Sequence, residues 1–248
     1  MNSKLLIAFA LASLSACGST PPAQVDNALL ARASSESRTA IASARSERDV
    51  AIDDLAIATA EANHAADEVE MAKLALKTAT AESEQTKKAV EIAESTGSPE
   101  QLKKAATIHD QKLALEEVAK AVLAVEKGEL DLAKNEQKAA EATHELRLAQ
   151  VEEAKAIAVQ DVDLVEVRKI PLAEFRKRVA TEQREVEIAR ERIVESTKRL
   201  KVANEKLSKA SAYARSVGAD SPMVRPAESS APKVTPAPAP APAIESKG

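Results

Sequence analysis

The sequence has no tryptophan, one tyrosine and two phenylalanines. Aromatic side chains carry much of the buried area of a globular core, so this composition argues against a compact domain enclosing a deep pocket. Five glycines in 248 residues supply no glycine-rich phosphate loop. A single cysteine rules out an internal disulfide. No apolar run reaches the roughly 20 residues that a membrane-spanning helix needs. What the chain has is 52 alanines, 30% charged residues and a net charge of −4. Alanine with Glu, Lys, Arg and Leu is the usage of long helices and coiled coils. The aliphatic content is too high for a wholly disordered chain. The expected fold class is all-α.

Residues 1–16 read as a secretory signal peptide. Lys4 supplies the positive start, Leu5 to Ala12 the apolar stretch, and Ser13, Ser15 and Ala16 the small residues before Cys17. Leu14-Ser15-Ala16-Cys17 resembles the lipobox of bacterial lipoproteins. The resemblance implies cleavage before Cys17, diacylation of its thiol and acylation of the new amino terminus. Two or more acyl chains hold a protein firmly to a membrane, whereas one binds reversibly. Cys17 is therefore the candidate lipidation site, with membrane lipid as its partner. Gly18 stands where enteric lipoproteins retained in the inner membrane carry aspartate, so the family rule points to the outer membrane, facing the periplasm.

Residues 17–23 form a lipidated leader. Helix 1 is expected over 24–95, a turn over 96–99, helix 2 over 100–170 and helix 3 over 171–217. Residues 218–248 form a disordered Pro/Ala-rich tail, a polyproline-type spacer holding 7 of the 11 prolines. The turn has the clearest local signal: Gly97 suits a helix C′ position, and Ser98, Pro99 and Gln101 read as N-cap, N1 proline and capping-box partner. Pro171 is the next interruption, where a kink and a complete reversal are both open.

Both arms repeat by sevens. In the first, small residues recur at Ala44, Ala51, Ala58, Ala65, Ala72, Ala79 and Ala93, with a mixed row from Ile41 to Val90 three residues ahead. In the second, Val118, Val125, Leu132 and Leu146 alternate with Ala114, Ala121, Gly128, Ala142 and Ala149. An antiparallel hairpin should pair positions whose numbers add to about 197, setting Ala72 against Val125 and Val69 against Gly128. Arg48 and Glu153 then occupy core places. The third stretch has the most regular heptads, with one row from Leu172 through Val179, Val186, Ile193, Leu200 and Leu207 to Ala214, and another from Phe175 to Val217. Such a row needs a partner, so helix 3 is expected to fold back on the hairpin.

Charge is uneven. Residues 24–167 hold 17 Lys/Arg and 29 Asp/Glu, whereas 168–217 hold 14 and 7. Arg178, Arg192, Arg199 and Lys206 recur by sevens beside the third row, and Glu47, Asp54, Glu61, Glu68 and Glu82 beside the first. The plainest expectation is that these stripes pair within the protein, helix 3 against the first arm. A face for an anionic polymer comes second.

The search for chemistry yields little. His64, His109 and His144 stand singly, opposite residues 133, 88 and 53 in the expected register, so no metal set forms. No cofactor motif appears, and neither the lone serines nor Tyr213 has a nucleophile's partner. Nucleic acid suits neither the export signal nor the acidic body. The expectation is no enzyme but a structural or tethering lipoprotein of the cell envelope. Its body resembles the alanine-rich coiled-coil lipoproteins that tie outer membrane to cell wall, in composition only. Those attach through a C-terminal lysine, whereas here Lys247 is penultimate. The alternative is an adaptor or scaffold whose hairpin docks on another envelope protein, similar to periplasmic efflux adaptors but without their β-rich domains. Envelope proteins, peptidoglycan and a homo-oligomer are the macromolecular partners in view.

Overall fold

A computed structural model describes Val25, residues 27–160 and residues 171–219. The expected signal peptide, Cys17 and leader, the segment 161–170, and the tail from 220 on lie outside the described residues. Among the described residues the structure is all helix: α1 (Asn27–Leu30), α2 (Ser35–Thr96), α3 (Pro99–Gln160) and α4 (Leu172–Ser216). The long antiparallel hairpin is α2 and α3, each of 62 residues, and the third long helix is α4, of 45.

The first expected helix, 24–95, is divided. The backbone of α1 closes with Ala33 N–H donating to the Leu30 carbonyl at 3.1 Å. A new helix then starts at Ser35, because the Ser34 hydroxyl accepts from the Ser37 N–H at 3.1 Å, an N-cap contact. No glycine or proline marks this break. Tertiary packing makes it: Leu29 and Leu30 lie on a cluster of Val25, Ala156, Val159 and Phe175, while Ala33 and Ile41 bury against Ala158.

The turn is formed as its residues suggest. Gly97 takes φ 70°, its N–H reaches the Glu94 carbonyl at 3.3 Å, and Ser98 caps α3 through its carbonyl to Leu102 N–H at 3.0 Å. A side chain at 97 would be strained at that φ. Half of the expected capping box forms: the Ser98 hydroxyl accepts from the Gln101 N–H at 3.5 Å, whereas Gln101 Oε1 takes the Thr96 hydroxyl at 3.4 Å and ties the two helix ends together.

The far end of α4 also closes with a glycine. Gly218 has φ 75°, its N–H donates to the Arg215 carbonyl, and Ala219 N–H donates to the Ala214 carbonyl at 2.9 Å. These are the two hydrogen bonds of a Schellman motif, and the accompanying apolar contact is present, since Ala219 buries with Ala214. The tail expected from 218 therefore starts later, because Gly218 and Ala219 belong to the helix cap. From α3, Gln111 Nε2 donates to the Val217 carbonyl at 3.1 Å.

The chain divides into two compact units. One draws on residues up to Ala62 and on Ala133–Val194, the other on Asn63–Leu132 and on residues from Glu195. In the first unit, Glu47 meets Arg147, and Arg176 and Arg178 meet Glu153 and Glu145. In the second, Lys112 meets Glu82 and Arg199 meets Asp131. Each unit is thus a bundle in which α3 runs antiparallel both to α2 and to α4. The reversal after α3 is complete, and Pro171 stands before α4, its carbonyl taking the Glu174 N–H at 2.8 Å.

Every heptad position named above on α2, α3 and α4 is buried or half-buried. The α2–α3 contacts, Thr86 to His109, Ser83 to Glu116, Glu82 to Lys112, Thr59 to Gln137 and Glu47 to Arg147, all add to within three of 197. The register expectation is met, but one assignment is not. Gly128, expected against Val69, lies against α4: a Cβ there would sit 3.2 Å from Leu200 Cδ1. Ala114 and Val118 likewise bury with Ala214, beside Leu207 and Ala210. The alternation of large and small residues on α3 serves α4, where Gly128 lets the helices approach closely.

Candidate functional site

Two sets of residues were chemical candidates, Cys17 and the polar side chains of the rod. Cys17 lies outside the described residues, so the structure places nothing around it. The histidines are described and do not converge. His64 is on the surface of α2, with Nε2 3.8 Å from Glu68. His109 Nδ1 lies 3.1 Å from the Thr86 hydroxyl. Among the described residues no three His, Cys, Asp or Glu side chains stand where they could hold a metal ion.

The densest polar cluster belongs to the unit with the turn, where α2 presents Glu82, Ser83 and Thr86 to His109, Lys112 and Glu116 of α3. Buried Ser83 donates to Glu116 Oε2 at 2.5 Å, and Lys120 approaches the other carboxylate oxygen at 3.1 Å. The Ser83 hydroxyl, followed by Lys120, holds the Glu116 carboxyl below its ordinary value, although burial opposes this. Glu117 and then Glu116 raise Lys120 in return. Lys112 Nζ reaches Glu82 at 2.7 Å.

This cluster is not a nucleophile with its base. Ser83 gives its proton toward a carboxylate, and the histidine bonds Thr86 instead, so this cluster holds no serine–histidine pair. What the arrangement can do is favour one register, because a slip of either helix would break the Ser83–Glu116 and Thr86–His109 contacts and leave Ser83 only the Thr80 carbonyl and Glu116 only Lys120. Sequence periodicity overlooked it, since a search for apolar repeats does not register a face made of His, Lys and Glu.

In the other unit, Arg147 reaches Glu47 at 2.6 Å, and Gln137 reaches Thr59. Glu136 makes no pair among the described residues. Burial, then the nearby Glu61 carboxylate, raises its carboxyl above the ordinary value.

The expected pairing of charge stripes needs correction. Glu47 and Glu82 of the first stripe take partners on α3, and Arg178 and Arg199 of the third stripe also take partners on α3. The middle helix carries both signs and is the common partner. The misfit core places find partners, Arg48 on neighbouring Asp49 and Glu153 across to Arg176 of α4. Compared with known proteins, the chain matches no family model, no curated protein and no solved structure.

Proposed function

We infer that the protein is a structural or tethering lipoprotein of the bacterial cell envelope, held by lipid on Cys17 and carrying a helical periplasmic body. The observation that carries this reading is Leu14-Ser15-Ala16-Cys17 at the end of an export-type apolar stretch. The body supports it, since three long helices suit spacing and attachment. None of the described helices is long and apolar enough to cross a membrane. The outer membrane, facing the periplasm, is the proposed location.

The adaptor reading rests on a different observation. Ile92 and Ile108, on the two helices near the Gly97 turn, keep exposed aliphatic side chains that an envelope protein could cover.

Metabolic palmitate labelling tests the anchor. Cys17→Ser should abolish the label and release the protein from the membrane fraction, and unchanged labelling would refute the lipoprotein reading. Crosslinking in cells then separates the two readings, with wall fragments expected for a tether and one defined envelope protein for an adaptor.

A further inference from the structure

The basic residues of α4 differ in whether they are engaged. Arg176, Arg178 and Arg199 turn toward acidic residues of α3. Lys198, Lys201, Lys206 and Lys209 are exposed and make no ion pair or hydrogen bond among the described residues. A guanidinium fork suits a fixed pair, whereas an ammonium on a flexible stem stays hydrated and available. Val202 and Tyr213, 51% and 54% exposed, lie in the same outer strip, since 198, 202, 206, 209 and 213 advance by three or four. The strip belongs wholly to the unit that holds residues from Glu195.

The complementary pattern stands on α2, in the other unit. Residues 49–61 contain Asp49, Asp53, Asp54 and Glu61 and no lysine or arginine. Asp49 is taken by Arg48, but Asp53 and Asp54 are exposed and unpaired among the described residues. Val50 and Ile57, 57% and 59% exposed, flank them one heptad apart. This strip also alternates apolar and charged residues, with the opposite sign.

We propose that the two strips are halves of one self-association interface: the acidic strip on α2 of one copy receives the lysine strip on α4 of a second copy. A lysine strip alone would suit any polyanion. Its acidic complement on the same chain, likewise interleaved with exposed aliphatic residues, selects a second copy as occupant. Opposite charges steer the encounter and reject like strips, while Val50, Ile57, Val202 and Tyr213 supply apolar area. Because the strips differ, a copy engaged through one still offers the other. Association therefore closes reciprocally as a dimer, closes as a ring, or continues as a chain.

The test uses the full-length chain in detergent micelles, mixing isotopically light and heavy copies. A carbodiimide joins carboxylate to amine without a spacer, so only groups in contact are linked. Mixed-isotope peptides joining Asp53 or Asp54 to the α4 lysines are expected. Association in density-matched sedimentation should weaken at least about tenfold between low salt and about 0.5 M salt. Asp53→Lys with Asp54→Lys should abolish association with helicity unchanged, as should Lys206→Glu with Lys209→Glu, and mixing the two variants should restore it. A monomer at every concentration, links within single copies only, association that survives either reversal, or no rescue on mixing would each overturn the proposal. So would a monomer whose lysine strip instead captures phosphatidylglycerol vesicles.

Discussion

The face that α3 turns to α4 and the face it turns to α2 lie on one helix and obey different chemistry. Toward α4 it presents Ala114, Val118 and Gly128, with Ala156 and Val159 beside Phe175, and also Asp131, Glu145 and Glu153, which pair with arginines of α4. Toward α2 it presents His109, Lys112 and Glu116 in one unit and Gln137 and Arg147 in the other. Burying apolar surface stabilises without direction, at about 25 cal/mol per Å². Hydrogen bonds and ion pairs add little net stability but penalise a wrong register, since a buried group that loses its partner costs about 1–3 kcal/mol. Both interfaces bury apolar side chains, Ile41 against Ala158 on the α2 side among them, and the α2 side adds buried polar contacts that favour one alignment. Repeats of seven make that addition useful, because the α2 alanines at every heptad would accept a slip of seven residues almost equally well.

The largest effect should come from the apolar side. Phe175→Ala empties the cluster that joins Val25, Ala156 and Val159, and an aromatic truncation of this kind costs about 3–5 kcal/mol. Urea unfolding followed by circular dichroism should show the midpoint falling by a corresponding amount. A change under 1 kcal/mol would mean that this cluster is not a main support. Next is Gly128→Leu, which drives a side chain into Leu200 where even a Cβ would come within 3.2 Å. Overpacking should cost about 1–3 kcal/mol, despite the better helix propensity of leucine. Measured stability equal to or above that of the parent would contradict the close approach.

How much of this was readable in the sequence follows from the same contrast. The rows of α4 were, because an unbroken apolar period of seven has one interpretation. So were the turn at Gly97, Ser98 and Pro99 and the hairpin register. The partner of Gly128 was not: periodicity shows that a stripe is buried but not which neighbour covers it. The second face of α3 was hidden because His109, Glu116 and Arg147 carry no apolar signal. The break before Ser35 was hidden because Ala31–Ser34 contains no breaker, and the pull of Leu29 and Leu30 toward Phe175 is tertiary. The expectation for Cys17 rests on its signal context alone, and Cys17 lies outside the described residues.

Smaller effects should come from the polar side. Ser83→Ala removes the main hydrogen bond to Glu116 and should cost about 1–2 kcal/mol at neutral pH. The cost should depend on pH in a set direction. Glu116 binds its proton less readily when folded than its ordinary 4.5 implies. The stabilisation is therefore full above that value and is lost as pH falls through the lowered folded value. Parent and variant should accordingly converge in acid, and a gap that is constant from pH 7 to pH 3 would remove the carboxylate from the account.

The smallest expected effect has the opposite sign and sharpens the contrast within the α2 face itself. Glu136 is raised by burial and by Glu61, so the folded chain binds its proton more readily than the unfolded chain does. Where it is ionised it opposes folding, and the opposition is relieved as pH falls through the raised folded value. Glu136→Gln keeps the shape and removes the charge, so the variant should be the more stable one at pH 7. Because Glu136 is only half-buried, solvent screening limits the gain to roughly half a kcal/mol. The gain should shrink as pH falls and vanish below the ordinary carboxylate range, where Glu136 is protonated in both folded and unfolded chains. Glu61→Gln should reproduce part of it, and adding it to Glu136→Gln should give less than the two gains combined, since both remove the same repulsion. A Glu136→Gln variant that is less stable than the parent at pH 7 would show that the carboxylate has a stabilising partner, and Glu136 would then join the register-setting pairs.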